Sequence, residues 1–130
     1  MIIGLVCIIF SACASEDRKL RSQGAETANS AFEIVLEIKS SFLDGDRSKL
    51  KELCSETLFA KLSDSMDTFK GKDMEFRMKW VSIEEDGTVN LYISWLEKDK
   101  DPADTRIAQF VISKSPFVAR KILRDDPFIR

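Results

Sequence analysis

The sequence predicts an α+β domain: N-terminal helices packed on one face of a curved antiparallel sheet of about four strands. Three observations carry this. As far as Phe69, apolar residues recur at three- and four-residue steps, the period of a helix with one buried side. From Met74 the period changes to two, as a strand with one buried and one wet face requires. Between two such alternating runs stands Asp86-Gly87, a strong short-range hairpin signal.

In the helical half, Ala28, Ala31, Phe32, Val35, Ile38 and Phe42 form one stripe on a helix from about Glu26 to Leu43, with Thr27 or Asn29 available to cap its start. Gly45 offers the left-handed residue that closes a helix and Asp46 an N-cap for the next, so a tight corner is expected at Asp44-Gly45-Asp46. A second helix, about Arg47 to Cys54, carries Leu50 and Leu53. Ser55 can cap a third, which bears Leu58, Phe59, Leu62, Met66 and Phe69 and ends near Lys70 and Gly71.

In the strand half, Met74, Phe76, Met78 and Trp80 alternate with Glu75, Arg77 and Lys79, while Val89, Leu91, Ile93 and Trp95 alternate with Asn90, Tyr92 and Ser94. Alternation places Trp80 and Trp95 in the core and Tyr92 on the polar face. Val81 and Ile83 take the opposite phase from Trp80, the mark of a bulge near the turn. The charged stretch Glu97 to Asp104 reads as an exposed loop, Arg106 to Lys114 as a third strand, Ser115-Pro116 as a turn, and Phe117 to Arg124 as a fourth strand ended by Asp125-Asp126-Pro127.

Ahead of these elements, residues 1–14 contain no charged side chain, and Ile2 to Phe10 are apolar apart from Gly4. The run falls short of the roughly 20 apolar residues that span a bilayer and has the length of a signal-peptide core. It ends in Phe10-Ser11-Ala12-Cys13, which resembles the bacterial lipobox, where a bulky apolar residue and two small ones precede a cysteine that receives diacylglycerol and becomes the new N-terminus. The resemblance implies a signal peptide at 1–12, lipid attachment at Cys13 and hence a membrane partner. The polar run 14–24, with one Leu and several charges, reads with Cys13 as a flexible tether at 13–24 reaching on the order of 20 Å, before a single α+β domain at 25–130. The alternative for Ile2 to Phe10 is an ordinary buried strand or helix. Ala14, not Asp, follows Cys13, so the expected location is the cell envelope, on the periplasmic face of the outer membrane if the organism has two membranes.

With Cys7 removed and Cys13 lipidated, Cys54 is the remaining thiol, no internal disulfide forms, and a buried inert cysteine is expected. The chain has no His, which removes histidine bases, Ser-His triads and the usual His-bearing zinc or iron sites. Neither a glycine-rich phosphate loop nor EF-hand spacing occurs, so no catalytic residue, metal ligand or cofactor is assigned. Lys+Arg at 20 against Asp+Glu at 22, with neither sign in a long block, disfavours nucleic acid as a partner.

The long helix closing on Leu43-Asp44-Gly45-Asp46, then Leu50, Leu53, Cys54, Ser55, Leu58 and Leu62, then the hairpin strands around Trp80 and Trp95, resembles the nuclear-transport-factor-2-like superfamily, or cystatin-like cone, in its small bacterial lipoprotein form. The likeness covers most of Glu26 to Asp126. It implies a cone with a pocket between sheet and helices. The superfamily contains isomerases, dehydratases and many non-catalytic binding modules, so shape does not fix activity. Dehydratase-like members rely on a His, absent here, and an isomerase-like site needs a buried Tyr beside a carboxylate, whereas the sole tyrosine, Tyr92, falls on the polar face.

Trp80, Trp95 and Met78 are the candidate pocket lining, with plain core packing as the alternative. The function expected is a membrane-tethered, non-catalytic envelope lipoprotein that binds a protein or ligand through the sheet's open face or the cone mouth. The alternatives are a small-molecule carrier or weak enzyme with an apolar cone pocket, and a homodimer formed through the exposed sheet face.

Overall fold

The computed structural model describes residues 15–129, with side chains from residue 24 onward, so the expected signal peptide at 1–12 and the expected lipid site Cys13 lie outside the described residues. The element order is three helices followed by a four-stranded antiparallel meander, β1-β2-β3-β4, which does not close.

The helical corner forms as its residues dictate. Helix α1 (Ser15–Asp44) ends where Gly45 turns to φ +74°. The Gly45 amide donates to the Phe42 carbonyl (3.3 Å) and the Asp46 amide to the Ser41 carbonyl (2.9 Å), satisfying acceptors that the helix end leaves open. Asp46 caps α2 (Arg47–Leu53) by accepting from the Lys49 amide at 3.1 Å, and Ser55 caps α3 (Glu56–Thr68) by accepting from the Leu58 amide at 3.3 Å. Arg47 ties the two, donating to Ser63 Oγ at 2.9 Å and to the Asp67 carboxylate. Helix α3 stops at Thr68 because Phe69 is extended, so Gly71 is not its closing residue.

Two expectations about α1 are corrected. It begins at Ser15, not near Glu26, so Thr27 and Asn29 lie inside it, and the stretch expected as a flexible tether is helical backbone from Ser15 through Gly24. The segment contains no proline, and a helix already nucleated by packing propagates cheaply. At 1.5 Å per residue those ten residues add about 15 Å of helix.

Strands β1 (Met74–Ile83) and β2 (Val89–Glu97) meet at a turn where Gly87 has φ +92°, its amide donates to Glu84 O (2.9 Å) and the Glu84 amide donates to Thr88 O (2.8 Å). A Cβ at Gly87 would lie 2.6 Å from Cδ of Lys114, a flexible side chain that would have to shift, and the positive φ is what calls for glycine here. Strands β3 (Arg106–Ile112) and β4 (Ala119–Arg124) are shorter than expected, because Ser113–Val118 form a loop around a cis Ser115–Pro116 bond, in which Ser113 Oγ donates to Pro116 O at 2.7 Å.

The bulge in β1 decides where its aromatic residue goes. Met78 pairs with Ile93 but Trp80 pairs with Tyr92, leaving Lys79 as the extra residue. Met78, Val81 and Ile83 therefore share the face of Ile93, Leu91 and Val89, while Trp80 joins Tyr92 on the opposite face. The expected inward Trp80 is thus corrected: it is 63% exposed.

The helices cover one face of the sheet. Ala31, Val35, Ile38 and Phe42 of α1, with Leu50, Leu58 and Leu62, pack against Phe76, Leu91, Ile93, Phe110 and Ile122. Burial of each large side chain contributes about 1.5–3 kcal/mol. After β4 the chain turns back and inserts Phe128, fully buried, with its ring 4.7 Å from Phe42 and 6.1 Å from Phe76. At the β4 edge the link between α2 and α3 continues the ladder, the Ser55 amide donating to Ala119 O at 2.8 Å, so that edge is partly paired.

Candidate functional site

The three residues expected to line one pocket are not together. Trp95 is 5% exposed, and its Nε1 donates to the Asp125 carbonyl at 2.8 Å. Met78 pairs with Ile93 and so has the core parity, but it is 36% exposed. Trp80 stands on the other face, so no cone pocket is shared by all three.

What lies near Trp95 is an open depression of about 770 Å³ at the end of the sheet. Trp95, Ile122 and Ile129 supply its apolar lining, Lys61, Lys100, Arg106 and Arg124 its cations, and Glu97, Asp104, Asp125 and Asp126 its carboxylates. Arg106 and Asp125 approach to 3.9 Å. Charges of both signs around a wet mouth make a poor match to an apolar ligand, which needs an enclosing, mostly apolar wall.

Cys54 is buried beneath the α2–α3 link, and burial pushes its thiol up to about 12, so it stays protonated and unreactive at neutral pH. Tyr92 is on the outer face, away from any buried carboxylate. Among the described residues, no group of His, Cys, Asp and Glu side chains is placed to hold a metal ion.

The outer face carries the arrangement that the spacing of residues did not reveal. Trp80 and Tyr92 stack with ring centroids 5.1 Å apart and planes 24° from parallel, and the Arg124 guanidinium carbon lies 5.7 Å from the centre of the Tyr92 ring. The cross-strand register produces the first contact: Trp80 opposes Tyr92, Tyr92 opposes Gln109 and Gln109 opposes Leu123, giving one row across all four strands. Arg124 reaches this row from a backbone at φ +66°, a conformation uncommon outside glycine. Leu123, which ends the row, is 43% exposed and Ile107 in the neighbouring row 37%, and a shallow groove of about 450 Å³ is lined in part by Glu75, Arg77, Lys79 and Ser94. Glu75 and Arg77 approach to 3.8 Å. The sequence signal for this face was the phase reversal at Val81; placed at Lys79, two residues earlier, it sends Trp80 outward.

No protein-family model, no curated protein and no solved structure matches this chain. None of the helices among the described residues is long and apolar enough to cross a membrane.

Proposed function

We propose that the chain is a lipid-anchored cell-envelope protein whose α+β domain, of the nuclear-transport-factor-2-like kind, binds an envelope component without catalysing a reaction. The observation that carries the reading is the uncharged run Ile2–Phe10 ending in Ser11-Ala12-Cys13. With no membrane-crossing helix among the described residues, attachment in this reading comes from the acyl chains on Cys13. The order of helices before a meander supports the assignment of the domain type. In an organism with two membranes, Ala14 after the cysteine favours the outer one.

The carrier reading loses its support where Trp80 and Met78 fail to join Trp95 around an apolar cavity. Homodimerisation through the open sheet face remains the competing use of that face.

The test is the intact mass of the full-length product expressed in a bacterium that processes lipoproteins, with Cys13→Ala as control. The expected result is a membrane-bound product lacking residues 1–12 and carrying acyl chains, against an unacylated Cys13→Ala product. An unprocessed, soluble wild-type product overturns the reading.

A further inference from the structure

The open face of the sheet combines an exposed indole, exposed aliphatic side chains and cations that no carboxylate neutralises within the described contacts. Trp80 is 63% exposed although one ring face is covered by Tyr92. Leu123 and Ile107 lie in the same and the neighbouring cross-strand rows. Around them, Lys121 opposes Val111 on this face, Arg124 sits over Tyr92, and Lys79 occupies the bulge next to Trp80. Among the described residues no carboxylate comes within ion-pair distance of these three cations; Glu75 on the same face pairs with Arg77, and Arg124 also borders the depression that holds Asp125, so the face keeps a local excess of positive charge in a chain of net charge -2.

An indole flanked by Lys and Arg on a broad surface suits the boundary between lipid headgroups and water, where amphipathic rings partition favourably and basic side chains are drawn to anionic lipid. A neutral apolar partner would leave the three cations unpaired. Trp80 keeps one open ring face, but a neutral glycan would leave the cations around it without a counter-charge, which an anionic headgroup supplies.

We infer that the outer sheet face, through Trp80, Leu123, Lys79, Lys121 and Arg124, docks on an anionic phospholipid surface. The inference rests on the tethered reading, which supplies nearness to a membrane, and names the envelope component that the domain contacts. The helical segment Ser15–Gly24, continuous with the domain through α1, then limits how far the domain can turn relative to its anchor, which lowers the entropy lost on docking.

The experiment uses the full-length protein reconstituted into vesicles of brominated phosphatidylcholine, with and without roughly 30% phosphatidylglycerol. The chain has two tryptophans, so Trp80→Phe reports Trp95 alone and the difference from wild type reports Trp80. The expected result is blue-shifted, bromine-quenched Trp80 emission in anionic vesicles only, abolished in about 1 M salt, where the screening length falls to roughly 3 Å. Trp95 emission is expected to stay unchanged. Lys121→Ala and Arg124→Ala each lower the docking equilibrium about five-fold. Because every variant keeps the same N-terminus, the comparison isolates the face. Trp80 emission that is equal in both vesicle types overturns the inference, and so does a dimer in sedimentation that shields Trp80 without vesicles. An acylated protein with unquenched Trp80 removes the docking face and leaves the tether; anionic-lipid-dependent quenching in a protein that mass analysis finds unacylated removes the tether and leaves the docking face.

Discussion

On the face of the sheet that meets the helices, Phe76, Leu91, Ile93, Phe110 and Ile122 are at most 7% exposed, whereas across the same strands Trp80 is 63% and Leu123 43% exposed. The covered face is lined by large apolar side chains, whereas the open face sets Trp80, Tyr92, Ile107 and Leu123 among Glu75, Arg77, Asn90, Gln109 and Lys121. A cover separates them further: α1, α2, α3 and the returning Phe128 seal one face, while Trp80 and Leu123 stay exposed on the other. Release of water from the first face stabilises the fold. The second contributes little to folding, which leaves its indole and cations free for contact with something else.

The contrast is broken most directly by truncation on each side. Phe110→Ala, at a fully buried position, is expected to cost about 3–5 kcal/mol in chemical denaturation, and Leu123→Ala on the open face within about 0.5 kcal/mol. Comparable losses would mean that the outer face is also part of the stabilising core. A sharper variant deletes Lys79, which restores regular pairing between Met78–Ile93 and Trp80–Tyr92. We expect a change of about 1 kcal/mol and a Trp80 emission maximum still typical of water contact. A shift to a buried emission would show that the bulge alone does not set the facing.

The smallest effect lies at the rim of the covered face, where Asp73 opens β1. Its partial desolvation opposes ionisation, but the Met74 amide at 2.7 Å, Lys98 and Lys39 outweigh it, and its carboxyl is held below the ordinary 3.8. Lys98 Nζ is 3.2 Å away and Lys39 Nζ 3.7 Å, the latter also donating to Met74 O at 2.6 Å. A lowered folded value means that the stabilisation is present above pH 3.8 and is lost as pH falls below it. With the side chain 45% exposed, screening keeps the effect small, so Asp73→Asn is expected to cost under about 1 kcal/mol at pH 7. The wild-type and variant stability curves should converge as pH falls below 3.8, in a urea titration repeated across pH.

The order of elements was readable in the chain because it depends on local rules. The corner at Gly45 and the caps at Asp46 and Ser55 fell where their side chains satisfy orphan backbone groups, and the period change at Met74 and the turn at Gly87 fell where alternation and left-handed backbone require them. The burial of Cys54 followed from its place on an apolar face. The candidate site was less legible. Trp80 was misplaced because alternation counts residues, while a bulge adds one without any composition signal at Lys79 itself. Arg124 was not singled out at all, since its ring contact depends on a left-handed backbone that its residue type does not announce.

By itself, then, the sequence determined the fold class, the helix corner, the hairpin and the polar placement of Tyr92, because each follows from periodicity and backbone chemistry over a few residues. Only the tertiary structure decided that α1 continues back to Ser15, that Phe128 returns to the core, that Trp80 leaves it, and that Arg124 closes the stack on Tyr92. Those outcomes depend on strand register and on which segment covers which face, and both are fixed by contacts between residues far apart in the chain, where local propensity carries no information.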